Sequence, residues 1–97
     1  MIDEFSDWIE SIREEYQQKG IVFFEVHSVE KNVEKRSIRV DFEIHRQLGR
    51  ITLWETGESD IELLDIESEV MIDYKVVFVQ EKTYKDVYVS YFESILK

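Results

Sequence analysis

The stretch from residue 21 to residue 80 is a succession of short segments in which apolar and polar side chains alternate. Alternation with a period of two is the pattern of a β-strand with one buried face and one solvated face. The clearest example runs from Arg36 to Arg46. Its apolar positions are Ile38, Val40, Phe42 and Ile44, and its polar positions are Arg39, Asp41, Glu43 and His45. One face of this strand is therefore expected to be buried.

Five such segments follow one another with short connections. They are Ile21 to Glu30, Arg36 to Arg46, Arg50 to Glu55, Ser59 to Glu67 and Val70 to Gln80. Parallel neighbours would need crossovers of about a dozen residues, so these connections favour an antiparallel meander. The polar Lys31-Asn32 pair predicts the first turn, and Gly49 and Gly57 are also predicted to lie at boundaries between segments.

Each end of the chain repeats apolar residues at the spacing of a helix. The patterns predict helices over residues 3–19, with Gly20 at the C-cap, and over residues 82–96. Both helices can bury their apolar stripes against the apolar face of the sheet. We therefore expect a two-layer α+β fold: a five-stranded antiparallel meander with N- and C-terminal helices (α-β-β-β-β-β-α) packed on one face. A chain of 97 residues suits one core, so residues 1–97 are expected to form a single domain.

The loop around Gly57 decides where Trp54 points. The apolar residues of the two flanking segments share a face only if the loop has an odd number of residues, and a three-residue turn with Gly57 at positive φ meets this condition. The core positions are then Ile51, Leu53, Ile61 and Leu63. Trp54 falls on the opposite, open face. Its expected neighbours there are Thr52, Asp60 and Glu62.

The next hairpin conflicts with this register. It would pair Leu64 with Ile72, and so would give the core to even-numbered residues. One regular strand cannot satisfy both parities. A β-bulge is therefore predicted at Leu63-Leu64, because one extra residue reverses the alternation.

Acidic residues are concentrated around Trp54. The net charge is −10, and residues 51–74 contain eight carboxylates but no Lys or Arg. Binding a phosphate backbone requires clustered Lys and Arg, so nucleic acid is not an expected partner. A concentrated negative surface instead speeds association with a basic protein, and Trp within a polar rim is typical of a binding hot spot. The same acids also fit a solvated surface that resists edge-to-edge aggregation.

The sequence contains none of the patterns that nucleophilic or phosphate chemistry requires. It has no Cys, no Gly-x-Ser-x-Gly turn and no Gly-rich phosphate loop. The predicted strands separate His27 from His45 by roughly 20 Å, which is too far for them to share a metal ion. We therefore expect no catalytic residue, no metal site and no cofactor, and we do not expect an enzyme.

The N-terminal segment is acidic and amphipathic, whereas a secretory signal begins with basic residues and continues with an apolar run. No stretch approaches the ~20 apolar residues of a membrane span. We expect a cytoplasmic protein that makes no membrane contact.

Residues 49–66 carry a resemblance to a known family. Trp54-Glu55-Thr56-Gly57 closes a β-branched strand, and a short acidic strand then ends at Leu64-Asp65. This pattern resembles the TriTu family of bacterial immunity proteins, as does the layout of a Trp-containing N-terminal helix, a strand meander and a C-terminal helix. Ser59 and the lack of a Gly after Ser68 depart from the family pattern.

The resemblance implies an immunity-protein-like domain that binds and neutralises a cognate antibacterial ADP-ribosyltransferase toxin without catalysis. Such a toxin is expected to be a basic, NAD-using protein, which would favour an acidic partner. We expect Trp54 to be the buried anchor of the contact. The other expected partner-binding residues are Glu55, Glu58, Asp60, Glu62 and Asp65.

Two other functions could use the same residues. An acidic adaptor or nucleic-acid mimic would occupy a basic groove on a nucleic-acid-binding protein, and would need carboxylates spaced like phosphates across several strands. An oligomerising module would bury Trp54 and Leu64 against a second copy. For the free protein we expect a monomer or a weak homodimer.

Overall fold

The computed structural model describes residues 1–29 and 35–97. The helices are α1 Ile2–Lys19 and α2 Tyr84–Ile95, and the strands are β1 Val22–Val29, β2 Ser37–Ile44, β3 Gln47–Trp54, β4 Glu58–Asp65 and β5 Met71–Phe78. The strands form one antiparallel sheet in the order β1-β2-β3-β4-β5. The predicted α+β meander is confirmed. The turn predicted at Lys31-Asn32 lies outside the described residues.

Helix α1 ends where the sequence predicts. Gly20 adopts a left-handed conformation with φ 112°. Its N–H donates to Gln17 O at 3.2 Å, and the Ile21 N–H donates to Tyr16 O at 2.8 Å. This is the Schellman arrangement, which glycine favours because it has no Cβ atom. The turn delivers Ile21, which is fully buried, to the start of β1.

The hairpin between β2 and β3 differs from the prediction. Strand β2 ends at Ile44, which pairs with Gln47, so the turn consists of His45 and Arg46 with φ values of 47° and 63°. Positive φ at both turn residues matches the twist of the flanking strands. No residue pattern predicts this turn, because the pair contains none of the Gly, Asn or Asp residues that usually occupy it.

Gly49 lies inside β3, so its predicted position at a boundary is wrong. It pairs with Phe42 across the ladder, and a Cβ atom at Gly49 would overlap the Phe42 ring. The glycine leaves room for the ring to lie across β3, where it is fully buried. A glycine in a strand can thus be required by a neighbouring side chain rather than by a turn.

A register shift lies between Leu63 and Leu64, where the sequence predicts a β-bulge. Leu63 pairs with Asp73 and Leu64 pairs with Met71, so the extra residue is Ile72 of β5. The predicted location is confirmed. The predicted reversal within β4 is wrong, because the bulge belongs to the partner strand and β4 keeps its alternation.

Both helices pack on one face of the sheet, and aromatic rings join them to it. The Phe92 ring centroid of α2 lies 5.7 Å from Phe42 of β2, 5.2 Å from Phe23 of β1 and 5.4 Å from Tyr16 of α1. All four side chains are at most 3% exposed. Burial of this apolar area is the main stabilising contribution, and the tilted ring pairs add to it. We call this side of the sheet the helix face and the other side the open face.

One polar pair lies within the core. Ser59 of β4 is fully buried, and its Oγ donates to Thr52 O at 3.0 Å. The Tyr88 Oη of α2 lies 2.7 Å from Ser59 Oγ. Because the serine proton is used on Thr52, Tyr88 is the donor in this second bond. Burial raises the pKa of Tyr88 to about 12, which keeps the hydroxyl protonated.

We predict that Gly49→Ala destabilises the fold, because the added methyl group overlaps the fully buried Phe42 ring. Overpacking of this kind costs about 1–3 kcal/mol, which urea unfolding would measure. In a Phe42→Leu background, Gly49→Ala should cost less stability than it does in the wild type, because the smaller side chain leaves more room for the methyl group. Equal stability of Gly49→Ala and the wild type would contradict the prediction.

We predict that Ser59→Ala costs more stability than Tyr88→Phe. The first change leaves the buried Tyr88 hydroxyl without its acceptor, at a cost of about 1–3 kcal/mol, whereas the second leaves Ser59 bonded to Thr52. Thermal unfolding of both single variants and the double variant measures their coupling. A larger loss in Tyr88→Phe would show that the assigned direction of the hydrogen bond is wrong.

Candidate functional site

Strand register arranges the side chains of the open face in rows. One row contains Trp54 of β3, Glu58 of β4 and Phe78 of β5. The next rows contain Thr52, Asp60 and Val76, and then Arg50, Glu62 and Tyr74. Glu58, Asp60 and Glu62 form a straight line along β4, which we call the acidic column. The prediction that Trp54 shares a face with Thr52, Asp60 and Glu62 is confirmed.

The three-residue loop between Trp54 and Glu58 creates this arrangement. Gly57 has φ 95°, its N–H donates to Trp54 O at 2.9 Å, and its carbonyl oxygen accepts from the Val79 N–H at 2.8 Å. The odd length keeps the predicted core residues on the helix face. These residues, all buried, are Ile51, Leu53, Ile61 and Leu63.

Trp54 is half-buried, and a basic residue covers its ring. Lys35 Nζ lies 5.0 Å from the ring centroid and 4.0 Å from Glu58 Oε2. A cation over an indole face is attracted by the ring quadrupole, and the carboxylate adds a Coulombic attraction. Lys35 therefore occupies a cation position between the ring and the carboxylate. Sequence reasoning missed it, because only the pairing of β2 with β3 brings Lys35 to Trp54.

Arg50 neutralises the far end of the acidic column only in part. Its Nε and Nη2 atoms donate to the two carboxylate oxygens of Asp41 at 2.7 Å and 3.1 Å. These bonds to Asp41, together with the nearby charge of Glu62, raise the pKa of Arg50. Because Asp41 holds the guanidinium in a bidentate pair, Glu62 makes no direct ion pair with it among the described residues.

Asp60 is the middle carboxylate of the acidic column. Burial, followed by the charge of Glu58, raises the pKa of Asp60, while Lys35 acts in the opposite direction. A raised pKa means that the ionised form is disfavoured at this position. Within residues 1–29 and 35–97, no hydrogen bond or ion pair joins Asp60 to another side chain. A positive charge brought to this point would therefore interact favourably with it.

The other two predicted partner-binding residues differ in position. Glu55 is exposed in the loop beside Trp54. Asp65 lies at the far end of β4, where its Oδ2 accepts hydrogen bonds from the Ser68 N–H at 2.8 Å and from Ser68 Oγ at 2.7 Å. These bonds lower the pKa of Asp65. The fold thus brings Trp54, Glu55 and the acidic column together, and it uses Asp65 in the turn between β4 and β5.

Beside the acidic column lies a row of exposed apolar side chains that sequence reasoning did not single out. It consists of Tyr74, Val76 and Phe78 of β5, which are 54%, 45% and 77% exposed, and we call it the apolar stripe. Each of its members pairs with a carboxylate of the acidic column. The sequence does contain a signal for this row, because the segment has more apolar residues than one buried face needs. Exposed aromatic residues beside charged ones are typical of protein-binding surfaces.

Neither a metal site nor a membrane-spanning helix is found in the parts of the chain that the structure describes. No group of three or more His, Cys, Asp or Glu side chains there is arranged to hold a metal ion. No helix there combines the length and the apolar character needed to cross a membrane.

A family sequence profile covers almost the whole chain. The family described as immunity protein TriTu matches residues 3–94, which include all five strands and nearly all of both helices. No curated protein matches the sequence. The match extends far beyond the segment from residue 49 to residue 66 in which the resemblance is concentrated. The chain therefore belongs to the TriTu family of immunity proteins.

Proposed function

We propose that this protein is a non-enzymatic immunity protein that neutralises a cognate antibacterial toxin by binding it through the open face. The proposed toxin is a basic, NAD-using ADP-ribosyltransferase, and the proposed place of the encounter is the cytoplasm. The observation that carries the proposal is an open face centred on Trp54 and the acidic column in a chain of the TriTu family. Blocking a toxin requires tight binding only, so no catalytic residue or cofactor takes part.

The charge of the protein supports fast capture of a basic partner. The net charge is −10, and the acidic column concentrates part of it on one flat surface. Such complementarity raises association rates by about 10- to 1,000-fold at low salt. Speed matters for an immunity protein, because it has to bind the toxin before the toxin acts.

The position of Lys35 supports the proposal that a basic toxin residue lies at the centre of the contact. Its ammonium group already lies between the Trp54 ring and Glu58, so a guanidinium or ammonium group of the toxin can take the same position. Displacing Lys35 costs little, because exposed ion pairs contribute about 0–1 kcal/mol. Trp54 would then lie between the two proteins, away from water, as binding hot spots do.

The alternative is an acidic adaptor or nucleic-acid mimic that fills the basic groove of a nucleic-acid-binding protein. A mimic needs carboxylates distributed over several strands. The acidic column instead lies on one strand, with its members about 7 Å apart, and Trp54 and the apolar stripe border it. On β2, Asp41 is already paired with Arg50. The arrangement favours a compact protein contact over a phosphate-like array.

We predict that Trp54→Ala weakens toxin binding by about 30- to 1,000-fold, which corresponds to a hot-spot loss of about 2–4 kcal/mol. The fold should persist, because the side chain lies on the open face. Titration calorimetry would measure the affinity for an ADP-ribosyltransferase toxin domain that carries an inactivating substitution. We expect the reading frame immediately upstream of this chain to encode that toxin.

Phe24→Ala is the matched control for this measurement. Phe24 is also an exposed aromatic residue, but it belongs to β1 at the opposite edge of the sheet. Its loss should change the affinity by no more than about threefold. Unchanged affinity in a folded Trp54→Ala variant would overturn the assigned anchor, and a wild-type protein that does not bind the toxin would overturn the proposed function.

We predict that Asp60→Asn makes the free protein slightly more stable at neutral pH and weakens toxin binding. The pKa of Asp60 is raised in the folded protein, so the ionised carboxylate costs stability at pH values above that pKa. Asn removes this cost, with a gain of about 0.5 kcal/mol or less at such a surface position. The gain should disappear as the pH falls through the Asp60 pKa, because the wild-type carboxyl group is then also neutral.

Urea unfolding at neutral pH and at a pH below the ordinary Asp value of 3.8 would measure the gain in stability and its loss at low pH. Titration calorimetry would measure the weaker toxin binding. Glu55→Gln is a matched control, because it removes a carboxylate from the exposed loop beside Trp54. Lower stability of Asp60→Asn at neutral pH would contradict the prediction.

A further inference from the structure

The two edges of the sheet differ in how they are protected. Strand β1 lies at one edge and β5 at the other, so each has one side of its backbone unpaired within the sheet. An open edge can pair with a strand of another chain, and proteins usually block such edges. The state of each edge therefore indicates where a further strand can add.

The β1 edge is blocked in two ways. A register shift between Phe23 and Val26 interrupts the regular ladder. The Arg13 guanidinium of α1 then donates to the backbone oxygen of Phe23 and, at 3.2 Å, to that of Phe24. A bulged backbone whose carbonyl groups are already bonded is a poor template for another strand.

The β5 edge is regular after its bulge, and its free backbone groups can be assigned. The Val79 N–H donates to Gly57 O, so odd-numbered residues direct their backbone groups towards β4. In an antiparallel ladder the intervening residues, Tyr74, Val76 and Phe78, direct their N–H and C=O groups outward. Within the described residues, no side chain bonds to these groups. Three donors and three acceptors are therefore available to a sixth strand.

The same three residues form the apolar stripe. A strand added at the β5 edge would place alternate side chains next to Tyr74, Val76 and Phe78 on the open face. The acidic column would then lie two strand spacings away, at about 10 Å. Long Lys or Arg side chains of the added strand can span the apolar stripe and reach Glu58 or Asp60, with their apolar stems covering it.

The helix face offers a second point of contact at this edge. A cleft of about 500 Å³ lies between β5 and α2, and its lining includes Val77, Val87 and Tyr91. Tyr91 is 6% exposed, and its hydroxyl group has no hydrogen-bond partner among the described residues. Burial raises the pKa of Tyr91 to about 12, so the hydroxyl group remains a donor. The helix-facing side chains of an added strand could fill the cleft and supply an acceptor.

We propose that the toxin contributes an extended basic segment that pairs with β5 as a sixth strand of the sheet. The backbone groups of Tyr74, Val76 and Phe78 form the ladder, and the apolar stripe and the cleft receive the alternate side chains of the segment. This inference rests on the proposed function and specifies how the toxin docks. Main-chain bonds supply affinity in this mode of recognition, and alternate side chains supply specificity.

Charge favours the toxin over a second copy of this chain as the occupant. Two copies paired through β5 would bring their acidic columns to within three strand spacings, about 14 Å, and each copy carries a net charge of −10. Like charges oppose that association, whereas a basic segment is attracted to the same surface.

Hydrogen–deuterium exchange on the wild-type protein tests the proposal directly. The probe is the same inactivated toxin domain. On binding, the amides of Tyr74, Val76 and Phe78 should exchange at least about tenfold more slowly, because a bonded amide exchanges only when the ladder opens. The amides at the β1 edge should exchange at their former rates. Unchanged exchange at the three β5 amides would overturn the proposal.

A pair of variants at Val76 provides the second test. Val76→Pro removes an outward N–H without removing a bond to β4, which is where edge strands tolerate proline. It should weaken toxin binding by about 10- to 100-fold, because a toxin carbonyl group loses its donor. Val76→Ala keeps the N–H and should weaken binding by roughly fivefold or less. If circular dichroism shows that Val76→Pro is unfolded, the exchange experiment decides.

The outcomes separate this inference from the proposed function. Wild-type protein that does not bind the toxin overturns both. Binding that is lost in Trp54→Ala, but is equal in the two Val76 variants and leaves the β5 amides unprotected, overturns only the sixth strand. Sedimentation of the free wild type as a dimer that Val76→Pro dissociates would assign the edge to a second copy and would also overturn it.

Discussion

The arrangement of the open face depends on the backbone conformation of Gly57. Its positive φ closes a loop with an odd number of residues, and that parity decides which face each residue of β3 and β4 occupies. Its two backbone groups bond to Trp54 and Val79, and a Cβ atom there would overlap the Val79 carbonyl oxygen. One glycine therefore aligns three strands, and the row of Trp54, Glu58 and Phe78 follows from that alignment.

The two faces of the sheet serve different purposes in the proposed function. The helix face buries the aromatic core and supplies most of the stability. The open face carries the acidic column. Burial, followed by the charge of Glu58, raises the pKa of Asp60, so the ionised carboxylate costs folding free energy. In the proposed complex, a basic residue of the toxin would offset that cost. Without the toxin, this carboxylate leaves the protein less stable than its fold permits, as is common where a surface is kept for function.

The regular elements and the position of Trp54 were predictable because each has a local cause. The helices follow from apolar spacing, the end of α1 from Gly20, and the side on which Trp54 lies from the parity of one loop. The predictions that were wrong depend on contacts between strands. Gly49 is required by the ring of Phe42, which no turn rule anticipates, and the extra residue of the bulge is Ile72 of the partner strand.

The sequence by itself determined the two-layer meander, the concentration of carboxylates and the face on which Trp54 lies, because periodicity and loop parity are properties of neighbouring residues. Only the tertiary structure decided that Lys35 covers the Trp54 ring, that Asp41 holds Arg50, and that the apolar residues of β5 remain exposed. These features depend on which distant strands become neighbours and on which edge of the sheet is left unblocked. Register across the ladder and the packing of the helices decide both.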